Sequence, residues 1–312
     1  MKFSVVIPLY NKVSCIQETL TRAMDQSFED YEIIVVDDGS ADGSLHVVEQ
    51  IKNDRVCVIR QENAGVACAR NTGILAATGE YIAFLDADDL WHGDYLQTIS
   101  ELIGKYPQSD IFVTAYRVLL GNGKIRHSAI LPQPDGCLDS YWETLDNSYD
   151  FVWTSATVIR REALMEAGLF RPGEKIGQDL DMWARVARRN PLVAYSSRLC
   201  VDYVRFAEQN ARTRVRIAYA GAFIRDLEEE LENPAHSDSE RSAIQHKYDR
   251  KMTVYIFTCL LAGERPRAKD AMRAWKGMRT KRNRLLRWGL RCAALMPNSL
   301  LRYVYRIRLR VF

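Results

Sequence analysis

With 312 residues, 47% hydrophobic and 27% charged, the chain can bury the core of one large domain or two ordinary ones and is too apolar to be disordered. Its seven cysteines are scattered and lack any Cys-x-x-Cys spacing, which argues against a disulfide framework and against a zinc site. The formal net charge of +3 hides an asymmetry: residues 263–312 carry fifteen Lys or Arg against two acids, so an acidic body bears a basic tail.

Met1 to Tyr10 runs directly into strand-like sequence, without the basic start, apolar middle and small-residue cleavage site of a signal peptide. No apolar run reaches the ~20 residues of a spanning helix, since Leu285–Leu301 is broken by Arg287, Arg291 and Pro297. A cytoplasmic location is expected.

Lys2–Pro8 reads as a first strand, and the spacing of Ile16, Leu20, Ala23 and Met24 predicts a helix over 13–26. Tyr31–Val36 is a second strand that ends in Asp37-Asp38-Gly39-Ser40, followed by an amphipathic helix over 44–52 and a third strand, Val56–Arg60. Asn63 to Gly73 leads into another helix through Ala77. The strand Tyr81–Leu85 then follows Gly79 and stops at Asp86-Ala87-Asp88-Asp89. This alternation predicts an α/β fold with a mostly parallel sheet, whose ligands sit beyond the carboxyl ends of the strands. Tyr10-Asn11, Asp37-Asp38 and Asp86 to Asp89 all lie at such ends and should meet in one crevice. Carboxylates crowded together repel one another, and a hard divalent cation, Mg²⁺ or Mn²⁺, would relieve this. The other reading is that the aspartates cap a helix beginning near Trp91.

Further on, the pattern predicts a helix over 94–105, a strand over 110–118, and a hairpin turn at Gly121-Asn122-Gly123. Residues 127–150 read as loop with a short helix. A strand over 151–159, helices over 161–167 and 176–189, and strands within 192–203 complete the body. Two helices separated by Asn233-Pro234 occupy 212–262.

Five blocks in this order, SVVIPLYN, IIVVDDGSADGS, ENAGVACARNTGI, GEYIAFLDADD and GQDLDMWARV, resemble the inverting family-two glycosyltransferases of GT-A fold. The resemblance covers roughly 1–205. It implies a Rossmann-like catalytic domain over those residues; beyond it the sequence itself reads as a helical extension over 206–262 and a basic amphipathic tail over 263–312. It also implies a nucleotide-sugar donor, a divalent cation (Mn²⁺ or Mg²⁺) and transfer to an acceptor hydroxyl with inversion. Carried onto this chain, Tyr10 and the backbone near Pro8 line the base pocket. Asp38 accepts a hydrogen bond from the nucleobase, expected to be uracil, and Asp37 supports the turn. Arg70 stands near the diphosphate, its alternative being a solvated helix-face cation. Asp88 contacts the metal, and Asp86 faces the ribose or a metal-bound water, or the two exchange roles; Asp89 supports them. Asp179 is the general base that takes the acceptor's proton. Gln178 stands where the family usually has Glu, and the family's His within 203–214 is missing, leaving Arg205 or Arg212 as phosphate clamps. Trp183 is expected in the core and Trp153 on an acceptor wall. The Gln-x-x-Arg-Trp block of processive members is absent, so transfer of a single sugar is expected.

The acceptor is expected to be a polysaccharide or a lipid-linked glycan precursor. Within 263–312, arginines mix with Trp275, Trp288, Leu290, Leu300, Leu301 and Tyr303, a composition suited to lying on an anionic membrane surface at its inner face. The other reading is a helical subdomain with a solvated basic face. No base-reading motif for nucleic acid is present. Two rival functions stay open: a sugar nucleotidyltransferase, and a non-catalytic, membrane-associated scaffold that binds nucleotide sugars.

Overall fold

Phe3–Leu9 forms strand β1, buried throughout except for half-buried Pro8. It lies between two parallel neighbours, β2 (Tyr31–Asp37) and β4 (Tyr81–Phe84). A strand covered on both faces has no solvent side, which is why FSVVIPL lacks polar alternation. The computed structural model describes residues 2–120, 123–128, 130, 134–146, 151–204, 220–275, 281–297 and 299. The chain divides into two compact units, Met1–Asn210 and Ala211–Phe312.

In the first unit, β3 (Val56–Arg60) extends the parallel set beyond β2. Helices α1 (Ile16–Met24), α2 (Ser44–Glu49) and α3 (Val66–Ala76) make the crossovers. The remaining strands are β5 (Leu90–Trp91), β6 (Ile111–Leu119), β7 (Ile125–His127), β8 (Gly136–Leu138), β9 (Thr157–Arg160) and β10 (Val193–Val204). The sheet order is β3-β2-β1-β4-β9-β6-β10-β5, with β7 beside β6 and β8 beside β10. The sheet is mixed and mostly parallel along its long strands. Strand β9 is antiparallel to both β4 and β6, whereas β10 runs parallel to β6. Helices α4 (Tyr95–Lys105), α5 (Arg161–Glu166) and α6 (Gln178–Ala187) complete the unit.

The core follows from the helix spacings. Ile16, Leu20 and Ala23 of α1 and Tyr95, Ile99 and Leu102 of α4 are buried at intervals of three or four. Trp91 is fully buried and stacks on Tyr95 at 4.2 Å, while Trp183 packs on Phe84 at 5.2 Å, as the core reading of Trp183 expects. Each such side chain contributes roughly 1.5–3 kcal/mol by leaving water.

Three stretches differ from the sequence reading. Leu90 and Trp91 form an edge strand paired with β10 rather than a helix start, because Val201 and Asp202 supply partners more than a hundred residues away. Within 151–159 a 3₁₀ turn, Thr154–Ala156, precedes the short β9. The strands expected within 192–203 are one strand, with register shifts between Ser196 and Val201. The hairpin joins β6 and β7 as expected, although Gly121 and Asn122 lie outside the described residues.

The second unit contains α7 (Ala222–Glu232), α8 (Asp238–Ala262), α9 (Arg265–Ala274) and α10 (Lys281–Leu295). The Asn233-Pro234 break falls between the first two. A reciprocal capping box between Ser237 and Glu240 starts α8, and Gly263 ends it in the left-handed region at φ 87°. Trp275, read as part of a membrane-facing mixture, is instead buried, its indole donating to Asp249 at 2.9 Å. Leu290 and Ala294 are also buried, while Trp288 is 68% and Leu295 81% exposed. Among the described residues, no helix is long and apolar enough to cross a membrane.

Candidate active site

Because β2, β1 and β4 are parallel neighbours, their carboxyl ends open on the same edge. Leu9 is level with Asp37 and Val6 with Phe84, so Tyr10, Asp38 and Asp86 follow on side by side. The expected meeting of the three polar clusters is therefore observed. Tyr10 leaves its ring 45% exposed at this edge.

The β1–α1 loop is held by the β2–α2 loop. Asn11 adopts φ 51°, its amide donates to Ser40 Oγ at 3.1 Å, and its side-chain oxygen accepts from the Ala41 amide at 2.8 Å. The Lys12 amide donates to Ser44 Oγ at 2.7 Å. Asp37 supports its own turn by accepting from the Ser40 amide at 3.3 Å. Asp38 is buried and holds the 61–65 loop. Its Oδ1 accepts from Gln61 Nε2 at 2.7 Å and the Ala64 amide at 2.9 Å, and its Oδ2 accepts from the Gly65 amide at 2.8 Å. A carboxylate offers about four acceptor positions, so Oδ2 retains capacity for one more donor.

The acidic cluster is three environments rather than one. Asp86 is 32% exposed and accepts from Arg70 Nη2 at 2.7 Å; Arg70 is itself buried, with Phe170 beneath its guanidinium at 5.4 Å. Arg70 is thus not the solvated cation of the alternative reading. Asp88 is 8% exposed and accepts from Lys12 Nζ at 2.5 Å. Burial pushes its carboxyl above the usual range, more strongly than the ammonium pulls it down. Asp89 is fully interior, accepting from Ser155 Oγ at 2.5 Å, the Val204 amide at 3.3 Å and Trp153 Nε1 at 3.5 Å. Burial, aided by Asp88 and Asp86, pushes its carboxyl well above the usual range.

Asp179 comes to the same place. Thr154 Oγ1 donates to Asp179 Oδ2 at 3.0 Å, and Thr154 stands between Trp153 and Ser155, both of which hold Asp89. The Ser155 hydroxyl also accepts from the Asp86 amide at 3.1 Å. One 3₁₀ turn therefore joins the expected base to the acidic cluster. Asp181 has a different setting. It is buried between Arg171 (2.5 Å) and Arg185 (2.8 Å) and locks α6 in place. Gln178 donates to the Glu174 carbonyl at 2.7 Å, closing the loop ahead of the helix. Asn71, beside Arg70, exchanges two 2.8 Å bonds with the Phe170 backbone and fixes the approach to that loop. Trp153, expected on an acceptor wall, is buried between Tyr116 and Tyr203. Arg205 and Arg212 lie outside the described residues.

Among the described residues, no three His, Cys, Asp or Glu side chains stand together as a metal cage. The pair Asp86 and Asp88 still suits Mg²⁺ or Mn²⁺, which are commonly held by one or two carboxylates with ligand phosphates completing the shell. Both carboxylates face cations of the chain itself, Arg70 and Lys12, so a metal would enter a site already neutralised. The residues that sequence reasoning missed are Lys12, Thr154 and Ser155. Each is an ordinary polar residue locally, and each acts on a partner at least 25 positions away.

The family model described as "Glycosyl transferase family 2" matches residues 4–168. The amylovoran biosynthesis glycosyltransferase AmsB of Erwinia amylovora is 35% identical over 177 residues, which are 53% of this chain and 58% of that protein. The chain thus spans little more than half the length of this relative. Two solved structures share the fold. One is TarS 1–349 of S. aureus in complex with UDP-GlcNAc, with a TM-score of 0.71 at 18% identity over 98% of this chain and 92% of that one. The other is the mannosyltransferase PcManGT of Pyrobaculum calidifontis in complex with GDP-Man and Mn²⁺, with a TM-score of 0.59 at 19% identity over 96% of this chain and 82% of that one.

Proposed function

The chain belongs to glycosyl transferase family 2 and has the GT-A fold, and on that premise we propose that it moves one sugar from a nucleoside-diphosphate donor, UDP-linked, to a hydroxyl of a polysaccharide or lipid-linked glycan precursor, with inversion. The observation that carries this reading is the Trp153-Thr154-Ser155 turn, which binds Asp179 with one residue and Asp89 with its neighbours. A base and a cation-holding cluster fixed by one rigid turn is the arrangement that displacement at an anomeric carbon needs.

In this scheme Tyr10 and the Pro8 backbone border the base, and Asp38 uses its spare acceptor position on the nucleobase. Arg70 pairs with Asp86 and aims it at the crevice. Asp88 and Asp86 hold the divalent ion, which when bound supplies Lewis-acid stabilisation of the charge on the departing diphosphate. Asp179, its carboxylate fixed by Thr154, receives the proton of the acceptor hydroxyl. The reference to a polysaccharide rests on AmsB, whose name concerns amylovoran, and the donor class rests on the UDP-GlcNAc bound to TarS. The exposed Trp288 and Leu295 on a basic helix support a peripheral place on an anionic membrane, beside a lipid-linked acceptor.

The test is a product assay with a panel of nucleotide sugars, Mn²⁺ and mixed glycan acceptors. Released nucleoside diphosphate supports the proposal, and released pyrophosphate points to the rival nucleotidyltransferase. Asp179→Asn should lower transfer by about 10²–10⁴-fold while leaving donor binding within about twofold, since a general base acts on the chemical step. Full transfer by Asp179→Asn would remove the base from the scheme.

A further inference from the structure

We propose that Lys12 is the resident counter-ion of Asp88 and a positioning residue that couples metal entry to donor entry: its ammonium occupies the carboxylate until the donor's diphosphate offers it another anion. The inference rests on the reading of Asp88 as a metal-holding group.

Three observations carry it. First, Lys12 Nζ lies 2.5 Å from Asp88 Oδ2, on a carboxylate that is only 8% exposed. A dication brought to that carboxylate stands beside the ammonium and is repelled by it. Metal binding therefore competes with the ion pair. Second, the Lys12 backbone does not move freely, because its amide is bonded to Ser44 Oγ and the neighbouring Asn11 is bonded to Ser40 and Ala41. The loop is a fixed pivot, and exchange of partners falls to the four-carbon stem of the side chain. Third, the same loop presents Tyr10, 45% exposed, immediately before that pivot. A donor whose base meets Tyr10 carries its diphosphate toward Asp88 past Lys12, so one ligand reaches both ends of the strut.

The physical consequence is linkage. If the ammonium leaves Asp88 when the diphosphate binds, the carboxylate becomes available to the metal in that step. By reciprocity, metal bound at Asp88 releases the ammonium for the diphosphate. Arg70 does not serve this purpose. It is buried against Phe170, and its fixed guanidinium orients Asp86 without an evident route to another partner.

The experiment titrates the full chain with Mn²⁺ alone, following free Mn²⁺ by electron paramagnetic resonance, and repeats the titration with saturating UDP. Lys12→Gln should bind Mn²⁺ in the absence of nucleotide about tenfold more tightly than the wild type, and UDP should tighten it further by a smaller factor than in the wild type. Lys12→Arg, which retains a cation, should stay close to the wild type. Melting curves of both variants verify that they fold. Equal or weaker Mn²⁺ affinity in Lys12→Gln, together with loss of binding in Asp88→Asn, overturns the role of Lys12 and leaves the metal site standing. Binding that survives Asp88→Asn in the Lys12→Gln background puts the cation elsewhere and overturns the site reading along with the proposal.

Discussion

Ser155→Ala removes one oxygen atom, and the structure says what that atom holds. The hydroxyl donates to Asp89 Oδ2 at 2.5 Å and accepts from the Asp86 amide at 3.1 Å, while the Ser155 carbonyl, which stays, accepts from Trp91 Nε1 at 2.7 Å. Leaving a buried acceptor without its partner costs about 1–3 kcal/mol, and an acceptor deprived of its shortest donor feels the upper part of that range. Asp89 keeps the longer bonds from the Val204 amide and Trp153, so the expected loss is about 2–3 kcal/mol rather than the cost of a wholly unpaired carboxyl. For a unit of about 200 residues this corresponds to a fall in melting midpoint of roughly 4–12 °C. Scanning calorimetry of wild type and variant measures it. In an Asp89→Ala background that acceptor is gone, and the same change should cost about 1 kcal/mol or less. A Ser155→Ala midpoint within about 1 °C of the wild type would show that Asp89 is not carried by this hydroxyl.

Gly79 is packed so closely that an added Cβ would lie 2.6 Å from Ser4 Oγ and 2.8 Å from the Lys2 carbonyl oxygen; Gly79→Ala should destabilise by about 2–3 kcal/mol in urea unfolding, because backbone cannot give way as a side chain does. Burial alone would raise the Glu32 carboxyl, but donors from Ser4 (2.6 Å) and Thr78 (2.8 Å), with the Lys2 ammonium, outweigh it and hold it below its ordinary 4.5. The unfolded chain then takes up the proton first as pH falls, so the stabilisation is complete above about 4.5 and is lost as pH drops through the folded value. Unfolding of wild type and Glu32→Gln should differ most near pH 7 and converge in acid; a constant difference would contradict the linkage. Replacing Trp288 and Leu295 together by Ala should weaken sedimentation with anionic vesicles about tenfold or more and leave binding to neutral vesicles unchanged, whereas equal sedimentation on anionic vesicles would place the membrane contact elsewhere.

Most of the first unit could be read from local sequence because its first four long elements are strands and helices in strict alternation. Apolar runs such as FSVVIPL and YEIIVV, separated by helices, suit the interior of a parallel sheet covered on both faces. The later topology could not be read, since nothing in Thr157–Arg160 announces that it lies antiparallel between β4 and β6. The edge strand Leu90–Trp91 was hidden for the same reason: its pairing partner is Val201 and Asp202. At the site, acids were visible because carboxylates at strand ends are conspicuous. Their partners were not, because Lys12 meets Asp88 across 76 positions and Ser155 meets Asp89 across 66. The tail shows the limit of composition: Trp275 and Trp288 stand in similarly basic surroundings in the sequence, yet one is buried on Asp249 and the other faces outward.

Three aspartates within four positions would be unstable if all faced one another, and the turn that carries them separates their duties. The Asp89 amide donates to the Asp86 carbonyl at 3.0 Å and closes the turn, with the Asp89 side chain fully interior, Asp88 8% exposed and Asp86 32% exposed. Thr19 of α1 fixes the residue between Asp86 and Asp88 by donating to the Ala87 carbonyl at 3.1 Å. Asp89, gripped by Ser155, Val204 and Trp153, joins the turn to β10 and to the 3₁₀ segment that holds Asp179. A buried carboxylate of this kind is poor at adding net stability, because desolvation offsets most of what its bonds return. Its gain is geometric. With the inner carboxylate spent on fixing the turn, the other two are left to side chains from other elements, a buried guanidinium for Asp86 and an ammonium for Asp88.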